Sequence, residues 1–396
     1  MIKAVSNKSN RQDKYPVVEY GVKVAQEVCA YHQSYPEYSM TPLVKLDNLA
    51  SALGVSKIMV KDESKRFGLN AFKVLGGSYC IGKYIAERLN LPKEKFNFAT
   101  LVSDEVKAEL GELTFVTATD GNHGRGVAWT ANRLGHKSVV FMPEGTVPER
   151  LENIRKLGSD ASIQAMGYDD CVRKAKACSE EFGWVITQDT AWEGYEEIPK
   201  WIMQGYTTIA YEIIQQIGED KPTHVFLQAG VGSMAGAIAA FMADYYKEDC
   251  PIITIIEPNK ADCIFRTAEA NDGKLHFVTD KMDSIMAGLC CGEPCTIAWE
   301  IMESYAKHFV SMPDYVTAKG MRVLGNPLPG DEPIVSGESG ASCFGLVVEA
   351  LQDKELAWLK EQLGLNAESK ILCISTEGDT DKANYRSIVW DGAYHK

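Results

Sequence analysis

Lys73 stands in the run Asn70-Ala71-Phe72-Lys73-Val74-Leu75-Gly76-Gly77-Ser78. It follows Lys57 to Glu63, which reads as a strand, and precedes a periodic segment, Tyr79 to Leu89, which reads as a helix. A lysine at a helix start, between apolar neighbours, is expected to hold its proton less firmly than the usual pKa of about 10.4. A neutral amine can attack an aldehyde to form a Schiff base and later abstract a proton. From this segment alone, a surface lysine at a helix start would look the same. Three further segments weigh against that reading.

Gln228-Ala229-Gly230-Val231-Gly232-Ser233-Met234-Ala235-Gly236 follows a strand and opens a helix. Backbone amides from Gly230, Val231, Gly232, Ser233 and Met234 could face an anion at the positive helix end, and the glycines allow close approach. A dinucleotide fold would read much the same, with Glu257 ending the next strand where a ribose-binding acid would stand. On this segment a nicotinamide and another phosphate-bearing cofactor both remain open.

In Thr119-Asp120-Gly121-Asn122-His123-Gly124-Arg125-Gly126, Asn122 offers a neutral amide suited to a phenolic oxygen of a bound ring. His123 reads either as an acid or base or as a structural hydrogen-bonding group. After the last strand, Ile374-Ser375-Thr376-Glu377-Gly378-Asp379-Thr380-Asp381 places hydroxyls where a pyridine nitrogen could accept from them, or where a turn needs them. Asp189, at another strand end, is a second candidate acid or a cap.

These residues need strands and helices to converge. Apolar runs at 115–119, 137–142, 161–165, 184–188, 224–228, 252–257 and 370–375 read as short buried strands. Helical periodicity appears between them, as at 126–134 and 171–182, and Thr146 with Glu149 fits a capping box before a helix at 147–157. Such alternation predicts an α/β chain of right-handed βαβ units, with mostly parallel sheet covered on both faces and function at the carboxyl ends of the strands. The stretches 271–282 and 325–333 read as surface loops.

The 396 residues suffice for two modest domains, and 45% hydrophobic with 24% charged residues is ordinary for a globular protein. A net charge of -13 argues against nucleic acid or an anionic membrane as partner. No window approaches the ~18 apolar residues of a membrane span, and the first residues lack the apolar core of a secretory signal, so a cytoplasmic location is expected. Eleven scattered cysteines fit a reducing compartment. Cys290, Cys291 and Cys295 cluster without a CxxC or a histidine at ligand spacing, so no metal site is expected. Cys263 could approach them and form a labile disulfide.

The order of lysine, asparagine loop, glycine loop and C-terminal hydroxyl resembles the fold type II pyridoxal-phosphate enzymes, the tryptophan synthase β group. The resemblance is carried by Lys61 to Lys73, Thr119 to Gly126, Gln188 to Tyr195, Ile202 to Tyr206, Met286 to Leu289, Ser336 to Ala341 and Ser375 to Asp381. It implies two open doubly wound parallel-sheet domains, expected as 1–85 with 196–396 (the larger, cofactor-binding one) and 86–195. It implies pyridoxal 5'-phosphate held by Lys73, its phosphate on the Gly230 to Met234 loop, its ring oxygen on Asn122, and its ring nitrogen on the Ser375–Thr376 pair. Ser375 is the better match to the group's serine. A homodimer acting on a small amino acid is expected. The nicotinamide reading would leave Lys73 and the Ser375 loop without a task.

Within that group the chain is most similar to members that eliminate ammonia from 2,3-diaminopropionate, giving pyruvate and two ammonia. Many related dehydratases have a small residue two before the loop asparagine, where this chain has Asp120. A carboxylate there would attract a β-ammonium by about 4 kcal/mol at ~4 Å and an intermediate dielectric, before desolvation is subtracted. It could also act as a base on the face opposite Lys73, so that D- and L-isomers both lose the α-proton. The remaining readings are a serine or threonine dehydratase of the same fold, and a non-catalytic cofactor-binding relative.

Overall fold

The computed structural model describes residues 1–9, 13–119 and 121–396. Two sheets organise these residues. The larger has seven strands: β1 (Lys3–Ser6), β2 (Leu43–Lys45), β3 (Lys57–Asp62), β8 (His224–Gln228), β9 (Ile252–Pro258), β10 (His308–Met312) and β11 (Lys370–Ser375), in the order β1-β10-β9-β8-β11-β3-β2. The smaller takes β4 (Thr114–Ala118), β5 (Lys137–Met142), β6 (Asp160–Ile163) and β7 (Val185–Ile186) in the order β6-β5-β4-β7.

All pairings in the smaller sheet are parallel, as are the five central strands of the larger one. The expected parallel architecture therefore holds except at the rims of the large sheet, where β1 and β2 pair antiparallel. Central strands such as β8 are wholly buried, as parallel strands covered by helices on both faces must be. β1, β2 and β10 were not foreseen. The first two are short and only partly buried, and they exist through pairing with distant strands.

The helix after Lys73 runs Val74–Arg88, one turn earlier than its periodicity suggested. It packs against helices Asn122–Arg133 and Glu197–Gln216 at glycines. A Cβ on Gly77 would stand 3.0 Å from the carbonyl carbon of Gly126, and one on Gly126 2.8 Å from the Cα of Val74. Gly205 lies equally close against the Leu75 carbonyl oxygen. Backbone meets backbone here, so the lysine is set by main chain.

The capping box expected at Thr146 is absent. The helix begins at Pro148 with Val147 as its cap, and the Thr146 hydroxyl donates to the Pro143 carbonyl at 2.8 Å. Proline at the first helical position lacks the N–H and fixes φ, so the helix starts without that side chain.

A fully buried charge network braces the chain just before Lys73. Lys61 donates to Glu212 (2.7 Å), the Thr41 carbonyl (2.7 Å) and Gln216 (2.8 Å), which satisfies all three of its hydrogens. Arg66 bonds both Glu212 oxygens at 2.7 and 2.8 Å and Glu63 at 2.8 Å. Burial alone would raise the Glu212 carboxyl, but the Arg66 and Lys61 bonds and charges outweigh it and hold it well below the usual range. Its contribution to stability is present above the ordinary carboxylate value of 4.5 and is lost as pH falls through the depressed folded value. Glu212→Gln is expected to destabilise the protein by about 3–5 kcal/mol in urea titrations near neutral pH, because buried Lys61 loses its paired carboxylate and Arg66 loses one of its two. The variant should also lose less of its remaining stability on acidification than the parent.

Candidate active site

Carboxyl ends of strands from both sheets face one cavity. Its lining includes Phe72, Lys73, Thr119, Asn122, His123, Asp189, residues 228–234, Thr376 and Glu377. Asp120 lies outside the described residues, between Thr119 and Gly121.

Lys73 caps its helix from a helical conformation, and its ammonium is ion-paired with the carboxylate of Asp189. The sequence had set this amine among apolar neighbours, and the structure adds an anion that favours a proton on it. Asp189 is buried two residues beyond Thr187 at the smaller sheet's edge. Burial raises its carboxyl, but the charge of Lys73, then His123 and the bond to Lys73, bring it down to about 2. Its backbone oxygen accepts from the Ser233 hydroxyl at 2.5 Å, which fastens it to the glycine-loop helix.

His123 faces the Thr187 carbonyl through Nε2 at 2.7 Å, so Nε2 carries the hydrogen. Nδ1 is then an acceptor, buried, 3.9 Å from Asp189 Oδ2 and with no hydrogen-bond partner among the described residues. Burial lowers the imidazole pKa, Lys73 reinforces this, and Asp189 opposes it. His123 thus makes the structural bond and presents a neutral ring to the cavity.

The glycine loop joins β8 to the helix Ser233–Tyr246. Gly232 caps that helix at φ 99°, a left-handed conformation that favours glycine. A Cβ at Gly230 would come within 3.1 Å of the Gly288 carbonyl oxygen and 3.2 Å of Cys291 Sγ. The N–H groups of the first helical turn have no acceptor within the helix, so the loop is built to meet an anion.

Asn122 opens the helix Asn122–Arg133 after Gly121, and its amide nitrogen donates to Glu377 Oε2 at 2.5 Å. At the end of β11 the two hydroxyls part company. Ser375 Oγ shares a 2.7 Å hydrogen bond with Ser336 Oγ and does not line the cavity. Thr376 does, and its hydroxyl accepts from Gln228 Nε2 at 3.0 Å. Successive side chains at a strand end face opposite ways, which explains the split.

Other segments singled out by sequence serve as walls. Gly288, Leu289 and Ser339 line the cavity. Trp192 stacks on Tyr195 at 4.3 Å, and the Tyr195 hydroxyl donates to the Ile186 carbonyl at 3.0 Å, holding the loop after Asp189. Tyr206 is core, packed on Phe72 at 4.9 Å. All eleven cysteines are free thiols, and Cys263 donates to the Cys291 carbonyl at 3.5 Å. Glu257 caps the helix Cys263–Ala270 through the Ile264 and Phe265 N–H groups at 3.0 and 2.6 Å, and burial pushes it up to about 8. Sequence reasoning missed Gln228 and Glu377. The first looked like a strand end, and the second was absorbed into a Glu-Gly-Asp turn.

The donor set suits a phosphorylated pyridine aldehyde. A primary amine could take the aldehyde, a helix N-terminus with a glycine cradle the phosphate, an amide the ring oxygen, and a hydroxyl the ring nitrogen. A dinucleotide would give the Lys73 amine and the Thr376 hydroxyl no task.

Comparison with known proteins agrees. Residues 35–373 match the model of the family described as pyridoxal-phosphate dependent enzyme. The chain is 48% identical to the diaminopropionate ammonia-lyase of Salmonella typhimurium, over 93% of this chain and 92% of that one. It superimposes on the holo diaminopropionate ammonia lyase of Escherichia coli with a TM-score of 0.93 at 45% identity, covering 100% of this chain and 98% of that one. The same Escherichia coli protein in complex with an aminoacrylate-PLP azomethine reaction intermediate gives a TM-score of 0.91 at 45% identity, again covering 100% and 98%. Lysine, glycine cradle, amide and hydroxyl thus meet in one cavity on a backbone shared along its whole length, and the chain belongs to the pyridoxal-phosphate dependent enzymes, in the diaminopropionate ammonia-lyase family.

Proposed function

We propose that this protein eliminates ammonia from D- and L-2,3-diaminopropionate, which with one water gives pyruvate and two ammonia. The observation that carries this reading is the Lys73 amine, ion-paired with buried Asp189 in the cavity that also holds the glycine cradle and Asn122. Pyridoxal 5'-phosphate, when bound there, supplies a conjugated ring that spreads the negative charge left when the α-proton departs.

The chain's own groups do the rest. Lys73 holds the cofactor and, released, removes a proton from the α-carbon on its face. Asp189 steadies the ammonium form of Lys73 and so tunes when that amine can accept a proton. Asp120, from its place between Thr119 and Asn122, serves as the second base and as the anion that recognises the β-ammonium. The β-amine leaves as neutral ammonia only if it keeps a proton, and Lys73, Asp189 or Asp120 can maintain it. Of the Ser375–Thr376 pair, Thr376 faces the cavity and takes the ring nitrogen, while Ser375 is engaged with Ser336.

A cleft of about 770 Å³ adjoins the cavity at Tyr168, which lines both. It carries Glu144, Asp170, Asp280, Asp283 and Asp381 against Arg150, Arg173 and Lys281. Acids predominate, which suits a substrate with a second ammonium. Among the described residues no helix is long and apolar enough to cross a membrane. A homodimer in the cytoplasm completes the reading.

The deciding experiment is pyruvate release by the cofactor-loaded protein on D- and L-2,3-diaminopropionate, with serine and threonine in parallel. Fast turnover of diaminopropionate is expected, and a preference for serine or threonine would make the protein a dehydratase of the same fold. Lys73→Ala should lose both turnover and the visible absorbance of bound cofactor. Asp120→Asn should impair one isomer more than the other, and equal losses would remove the two-face assignment. Added salt should lower kcat/KM for diaminopropionate more than for serine, since the cleft attracts only the extra cation.

A further inference from the structure

Glu377 has no part in the scheme above, yet among the described residues it is the cavity carboxylate with the most hydrogen bonds. It is buried at 2% exposure. Its backbone is fixed by a bridge to Ala71, two residues before the catalytic lysine, and by Gly337 N–H donating to its carbonyl at 2.9 Å. Its Oε1 accepts from the Ser339 N–H at 3.0 Å. Its Oε2 accepts from Asn122 Nδ2 at 2.5 Å and from the Thr380 hydroxyl at 3.3 Å. Every partner is a donor, so the group is held as an acceptor with its oxygens already directed.

Asn122 belongs to the smaller sheet's side of the cavity and Glu377 to the larger sheet's side. A side-chain amide has two ends of nearly equal shape, one accepting and one donating. A carboxylate can bond only the donating end. We propose that Glu377 is a positioning residue that fixes the Asn122 amide with its NH₂ toward the cavity, so that its second N–H is presented to the cofactor's ring oxygen. Without Glu377 the amide is free to turn, and its carbonyl would then repel that oxygen.

Charges of both signs surround this carboxylate. Arg125, one turn along the Asn122 helix, feels its field, and Arg150 of the following helix acts on Arg125 and on Glu338. Glu338 is a neighbouring acid, and burial first and Glu377 second push it up to about 7. Its Oε1 is taken by Asn384 Nδ2 at 2.5 Å. Among the described residues, Lys73, Asp189, His123, Tyr168 and Cys291 are the other charged or titratable groups lining the cavity.

The test uses full-length, cofactor-loaded protein and reads the pH titration of the bound cofactor's visible absorbance. Asn122→Ala should move the midpoint by about half a unit or more in the otherwise unchanged protein, because a hydrogen bond to the ring oxygen is lost. In Glu377→Gln the same Asn122→Ala change should move it far less, since the amide is no longer aimed. Glu377→Asp keeps the charge but stops one methylene short of Asn122, so it should behave like Glu377→Gln. Equal shifts from Asn122→Ala with and without Glu377, or an aspartate variant that titrates like the parent, would overturn the proposal. If the glutamine variant does not fold, the aspartate variant decides on the same readout. Failure of both to fold also overturns it, because Glu377 would then be a requirement of the fold.

Discussion

Taking an ammonium out of water costs several kcal/mol unless a counter-charge meets it, and the ion pair of Lys73 with Asp189 meets that requirement. Lys73 precedes a helix that packs on the helices Asn122–Arg133 and Glu197–Gln216, whereas Asp189 follows the edge strand of the smaller sheet. The pair therefore forms only when the two halves of the molecule are assembled. Ser233 adds a second tether, bonding the Asp189 backbone from the helix that opens at the glycine loop. Amine, carboxylate and anion cradle are held in mutual register by two polar contacts.

The architecture makes such a meeting cheap in geometry. In a parallel sheet every strand releases its chain at the same edge, so β3, β8 and β11 deliver Asp62, Gln228 and Ser375 side by side. β4 does the same from the smaller sheet, with Thr119 just past its end and Asn122 opening the next helix. Gln228 shows how the ends are knit. Its amide donates to the Ile374 carbonyl at 2.9 Å and to Thr376, and its oxygen accepts from Cys343 at 3.0 Å. A buried polar side chain with its valences filled specifies one arrangement of three segments.

How much of this could be read from the sequence followed from how local each signal was. Lys73, Asn122 and the glycine loop sit at strand-to-helix junctions, and their chemistry is written within ten residues. The buried parallel strands were legible for the same reason, as continuous apolar runs. What escaped depends on partners far along the chain. β1 pairs with β10 some three hundred residues away, and Glu212 answers Lys61 across 151 residues. Glu377 looks like turn chemistry until Asn122 is found beside it. The Ser375–Thr376 ambiguity was a matter of which side chain faces which way at a strand end, and neighbouring sequence does not register a half-turn of backbone.

The glycine contacts around the lysine helix bear on how this cavity could change over evolutionary time. Gly77 against Gly126, and Gly205 against Leu75, leave no gap behind Lys73 into which the helix could retreat. Enlarging the cavity for a bulkier amino acid by shifting that wall would mean separating main chain from main chain, with the loss of dense packing on both sides. New substrate range must instead be gained at the opposite wall, where Tyr168 separates the reaction cavity from the acidic cleft and only side chains need to be exchanged. Lys73 is thus the least adaptable part of the cavity, and room for change is confined to the rim.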